Sequence, residues 1–158
     1  MTSPEARLAE LNLVLPAPTE PAGNYVGAVT AGDLVFLSGN GPIADGTVQY
    51  SGRVGQDLTS EQGYRAARLT GLNLLAALRA EIGSLDRVHR IVKVLGWVSS
   101  APGFYQQAAV INGVSDVLAS VFGERGRHAR SAIAADQLVL NMAVEAEMVV
   151  QLHEAPTT

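Results

Sequence analysis

Cysteine is missing from this chain of 158 residues, so disulfides, thiolate metal sites and cysteine nucleophiles are all excluded. Lysine is nearly missing as well, with Lys93 the sole example, and 11 basic residues stand against 15 acidic ones for a formal charge of −4. Without a basic run there is no electrostatic footprint for nucleic acid. Aromatic residues make up only 5% of the chain, which leaves no platform for stacking bases. No window approaches the run of about 18 apolar residues that a membrane span needs. The N-terminus also lacks a basic segment followed by an apolar stretch, so the expectation is a cytoplasmic protein rather than a secreted one.

What is present is a compact, apolar composition, 47% hydrophobic and 16% charged, suited to folding rather than disorder. The length fits one domain able to bury a core without staples. Residues 1–17 read as an N-terminal extension able to form a short helix through Leu8 and Leu11, and 18–158 as the single domain. Low charge with abundant Val, Leu and Ala leaves more apolar surface than a monomer usually exposes, which points to an oligomer.

Along the chain, the β-prone runs Tyr25–Thr30 and Leu34–Ser38 flank Ala31-Gly32-Asp33 and predict a hairpin. Ser38-Gly39-Asn40-Gly41-Pro42 follows as a turn in which two glycines permit close approach of the backbone to a ligand or neighbour. Asp45-Gly46 marks another turn, and Thr47–Val54 a short strand or loop excursion. Thr59-Ser60-Glu61-Gln62 matches a capping box at the head of a long helix that Gly83 can stop. His89–Ser99 is apolar on both faces, as a central strand would be. A second helix carries the stripe Val110, Ile111, Val114, Val117, Leu118 and Val121. Strands over Ala129–Ala135 and Leu138–Leu152 close the chain as an expected hairpin. This order predicts an α+β fold: a mainly antiparallel or mixed sheet with helices on one face and an apolar second face that needs cover.

The chemistry-bearing residues are few. Glycines 39 and 41 precede no helix, so no phosphate loop is present. His89, His128 and His153 lack metal-site spacing, and no serine shows a histidine-and-acid arrangement that would activate it. Arg130 on one strand and Glu145 and Glu147 on the next converge on the expected hairpin. An arginine fork there suits a carboxylate ligand, while a structural ion pair within the sheet gives the same pattern. Tyr25 reads as a substrate wall or a strand-start aromatic, and Asn112 as a polar contact across an interface or a plain surface residue.

Taken in order, Gly23-Asn24-Tyr25-Val26, Leu37 to Pro42, Val110-Ile111-Asn112, Ala129-Arg130-Ser131 and Val144 to Glu147 resemble the RidA, or YjgF-like, family over roughly residues 18–153. The resemblance implies a chorismate-mutase-like fold with a mixed sheet and two helices on one face, assembled as a homotrimer with sites in clefts between subunits. It implies a hydrolase, an enamine/imine deaminase that converts 2-imino acids of the 2-aminoacrylate type to 2-keto acids and ammonia. Arg130 then matches the carboxylate anchor, Glu145 the acid that positions water, and Tyr25, Ser38, Gly39, Asn40 and Asn112 the rest of the cleft. Glu147 falls into place as support for the Arg130–Glu145 pair. No cofactor, metal, nucleic acid or membrane partner is implied. The chain departs from the family in reading Arg130-Ser131-Ala132 where many deaminases have Arg-Ser-Cys, and Ser38-Gly39-Asn40 for Ser-Gly-Gln, with a longer approach before Tyr25 and an insertion near Val48–Gly55. A divergent, longer, cysteine-free branch fits these changes. A non-catalytic trimer that binds a small carboxylate would use the same Arg130, and ribonuclease or translation inhibitor, names also attached to the family, is opposed by the acidic balance.

Overall fold

The computed structural model describes residues 2–154. Its elements are α1 (Pro4–Glu10), β1 (Ala28–Ala31), β2 (Leu34–Leu37), β3 (Ile43–Ala44), β4 (Thr47–Val48), α2 (Ser60–Ile82), β5 (Val88–Ser99), α3 (Gln107–Phe122), β6 (Ala129–Ala135) and β7 (Val144–Leu152). Both sides of the expected capping box form, with the Gln62 amide donating to Thr59 Oγ1 at 3.1 Å and the Thr59 amide to Gln62 Oε1 at 2.8 Å. Gly83, at φ 84°, ends α2.

Five strands form one sheet in the order β1-β2-β7-β5-β6, and β3 and β4 form a separate small hairpin. Pairing is antiparallel except between β5 and β6, so the sheet is mixed. Val94, Val98, Val144, Ala146, Met148 and Val150 are buried under the helices. Gly113 lets α3 lie directly on α2, because a Cβ there would meet the Tyr64 carbonyl and the Arg68 amide nitrogen. Leu95, Trp97, Glu145, Glu147 and Val149 point to the opposite face and stay partly open. Phe36 and Ile133 on that face are 46% and 45% exposed. Among the described residues this apolar face is left without cover, as the sequence predicts.

Two expectations change. Tyr25 to Gly27 stay outside β1, because the Tyr25 amide turns back onto the Gly23 carbonyl at 3.0 Å. The closing pair is not a hairpin. Strand β6 runs parallel to β5, to which α3 connects it, and β7 inserts between β5 and β2. Strand β5, apolar on both faces, is the element best suited to lie between two neighbours, and it takes the place β6 was expected to have beside β7.

Candidate functional site

Arg130 pairs in register with Val94, which pairs with Met148, and both partners are buried beneath the helices. The arginine therefore lies on the helix side of the sheet, at its edge strand. Its fork is held against α3: Nη1 donates to Asn112 Oδ1 at 2.8 Å and to Ser115 Oγ at 3.1 Å, and Nη2 donates to the Ala108 carbonyl at 3.2 Å. Those bonds engage three of the five guanidinium donors. Among the described residues, Nε–H and one Nη2–H keep no partner, enough for a two-point grip on a carboxylate.

Glu145 sits elsewhere. It pairs with Trp97, three residues along β5 from Val94, and on the opposite face. The separation from Arg130 is two strand spacings, about 10 Å, and about 10 Å more along the strands. The expected convergence of Arg130 and Glu145 on one hairpin is therefore wrong within one chain, and so is the structural ion pair. Glu147 pairs with Leu95 and lies beside Phe36 and Lys93 in a hollow of the open face. It supports no Arg130–Glu145 pair; its effect on Glu145 is electrostatic.

Around Glu145 the sequence-predicted residues do come together. A cavity of about 160 Å³ is lined by Tyr25, Ser38, Gly39, Asn40 and Glu145, with Leu140 and Met142 among its apolar walls. The turn is rigid: Ser38 Oγ donates to the Val26 carbonyl at 2.6 Å, Asn40 Nδ2 to the Ser38 carbonyl at 3.0 Å, and the Asn40 and Ala146 backbones exchange two bonds of 2.9 Å. A side chain at Gly39 would overlap the Glu145 carboxyl, so glycine is what allows that group to lie against the turn. Tyr25 stands 54% exposed at the rim, its hydroxyl accepting from the Ala22 amide at 3.3 Å. Desolvation by burial, with Glu147 nearby as a lesser cause, raises the Glu145 pKa above the ordinary carboxylate value. Leu140, beside it in the wall, holds the left-handed conformation at φ 55°, a costly state for a branched side chain.

The sequence reading missed Ser115 and His128. It saw no serine partnered by histidine, yet Ser115 Oγ lies 3.0 Å from His128 Nε2, and His128 Nδ1 lies 2.7 Å from the Gly126 carbonyl. Thirteen residues and an element boundary separate the pair. Only the spacing of His128 two residues before Arg130 was available as a signal.

A family model described as “YjgF/chorismate mutase-like, putative endoribonuclease” matches residues 5–152. Protein TCP17 of Trypanosoma cruzi is 42% identical over 149 residues, which cover 94% of this chain and 93% of that protein. The crystal structure of protein Atu1372, of unknown function, from Agrobacterium tumefaciens is 38% identical, with a TM-score of 0.88 over 95% of this chain and 92% of that one. A Shewanella oneidensis structure carrying the same endoribonuclease description is 32% identical, with a TM-score of 0.93 over 96% and 100% of the two chains.

Proposed function

This chain belongs to the YjgF/chorismate-mutase-like family, to which its RidA-type motifs pointed, and from that premise we propose that it is an enamine/imine deaminase acting on small 2-imino acids. The observation that carries the reading is Arg130, buttressed by three bonds while two donors stay available for a carboxylate. Since Arg130 and the Glu145 cavity lie on opposite faces of one sheet, a complete site takes each from a different copy. Assembly as a homotrimer, which would also cover the open apolar face, supplies that arrangement.

The chemistry asks little of the protein, because a protonated imine carbon is already electrophilic and orientation supplies most of the rate. Arg130 of one copy holds the substrate carboxylate. Glu145 of another, in its ionised form, takes a proton from water as the oxygen adds to the imine carbon. The resulting carbinolamine collapses as that proton passes to nitrogen and the C–N bond breaks, while Glu145 takes the hydroxyl proton as the carbonyl forms and hands it to the departing ammonia, so that a 2-keto acid and ammonium leave and Glu145 is again ionised. A carboxyl whose pKa is raised by burial is suited to both halves of this transfer. Tyr25 and the Ser38–Asn40 turn wall the cavity, and Asn112 holds the arginine.

The test is release of ammonia and pyruvate from 2-iminopropanoate generated in situ, with and without the protein. Acceleration by the wild type, loss of activity in Glu145→Ala with pyruvate binding kept, and loss of both in Arg130→Ala are expected. No acceleration with binding intact would leave a small-carboxylate binding protein, a reading supported by the separation of Arg130 and Glu145 on opposite faces of the sheet. An RNA substrate in a parallel assay tests the activity in the family's description, which a chain of formal charge −4 is poorly equipped to engage through phosphate.

A further inference from the structure

A guanidinium at a ligand site is only as useful as its orientation is fixed. Asn112 and the Ala108 carbonyl hold the outer part of the Arg130 fork, both from the first turns of α3. The third contact is of another kind. Ser115 Oγ accepts from Nη1 at 3.1 Å, and the same hydroxyl meets His128 Nε2 at 3.0 Å. The direction of that second bond follows from the histidine's other nitrogen. A carbonyl can only accept, so the 2.7 Å contact to Gly126 places the proton on Nδ1. Neutral His128 then offers Nε2 as an acceptor, the Ser115 hydrogen points to it, and the oxygen's lone pairs are turned to the arginine.

We propose that Ser115 and His128 are positioning residues for Arg130, fixing the angle at which its two spare donors meet a ligand carboxylate. This rests on Arg130 being the carboxylate anchor. A nucleophilic role for the pair fits less well, since the serine oxygen is already engaged by a cation and the histidine is oriented by a neutral carbonyl rather than an acid.

The arrangement is sensitive to protonation. Desolvation by burial is the main influence on His128, lowering its pKa below the ordinary imidazole value; the Gly126 bond opposes this and Arg130 adds to it. The groups around the hollow beside it are Arg130 on β6, Arg127 on the preceding loop and Asp116 on α3. Asp116 is engaged by the Tyr64 hydroxyl of α2 at 2.8 Å, and Arg127 lies 3.5 Å from Glu124. When His128 gains a second proton, Nε2 turns from acceptor to donor, the Ser115 hydroxyl must rotate, and two cations share one oxygen. Arg130 is then released from its set angle.

The experiment is calorimetric titration of the full chain with pyruvate, from about neutral pH downward well past the ordinary imidazole pKa of about 6.5, since burial places the His128 titration below it. Ser115→Ala and His128→Ala are expected to weaken binding by about tenfold, the effect of one hydrogen bond to a charged group. Ser115→Thr and His128→Gln, which keep an oxygen in reach, should stay within about threefold of wild type on the same scale. Wild-type affinity should fall as pH drops through the His128 titration, and His128→Gln should abolish that fall. In the deaminase assay the alanine variants should raise KM while kcat changes little. Wild-type affinity in Ser115→Ala and His128→Ala, with binding lost in Arg130→Ala, would overturn the inference and leave the anchor in place. Equal losses in the alanine and conservative variants would assign the effect to packing and also overturn it. Unchanged binding in Arg130→Ala would remove the anchor itself, and this inference with it.

Discussion

A carboxyl group pressed against the Gly39 turn, with Glu147 on the same face of the strand, is costly to ionise. The sign of the consequence for stability is fixed. With the folded pKa raised, the native state binds the proton more tightly than the unfolded chain, so stability declines as pH rises from the ordinary carboxylate value through the raised one. Glu145→Gln is therefore expected to melt at a higher temperature than wild type at neutral pH, with the difference vanishing in acid, while deaminase activity falls by about 10²-fold or more. A thermal melt series across pH reads the first effect. Glu147→Gln removes the lesser cause of the shift and should move the acid limb of the activity profile to lower pH. At this scale the sequence named Arg130, Glu145, Tyr25 and Asn112 from residue chemistry and order. It did not name Ser115 or His128, because their bond crosses from α3 to the loop before β6 and leaves no periodic trace.

Among the elements, those governed by local signals formed as expected. The capping box set the start of α2 and Gly83 its end, and the apolar stripe of α3 faces the core through Val110, Ile111, Val114 and Leu118. Helix α1 is short, but it is fastened at both ends of Glu5: the carboxylate accepts from the Leu85 amide at 2.9 Å and lies 3.3 Å from Arg79, and its backbone amide donates to Asp86 at 2.9 Å. Leu8 is buried at 4% exposure. Leu8→Ala is expected to cost about 2 kcal/mol of unfolding free energy, at the low end for a buried leucine because a terminal helix can shift into the gap. Denaturant titration measures this, and a loss near zero would mean that α1 does not hold to the core in solution. The misread element was the closing pair. Two strands adjacent in sequence usually pair, yet the crossover through α3 sent β6 to the far side of β5.

For the whole molecule, the open face of the sheet decides the outcome. Leu95, Trp97, Val149 and the half-exposed Phe36 and Ile133 make a surface that water solvates poorly, and Glu145 shares that face through its pairing with Trp97. Covering it and completing the site are then one event under the proposed trimer. Sedimentation should give about three times the 16.5 kDa chain mass. Trp97→Glu, which places a charge at the middle of the face, should yield a folded monomer by circular dichroism with deaminase activity reduced to background. A monomeric wild type with full activity would refute the shared site.

Composition and local pattern determined the helices, their caps and the strand runs, because propensity, capping and apolar periodicity act over a few residues at a time; Arg130 stood out by its chemistry, and its proposed role as anchor came from the family resemblance. Which strands became neighbours was settled only in three dimensions, where β5, apolar on both sides, competed successfully for the place beside β7. That choice carried Arg130 to the helix side of an edge strand and left Glu145 on the opposite face. Two groups close in sequence thus stand on opposite faces of one sheet, and under the proposed trimer they become the halves of a site shared between copies.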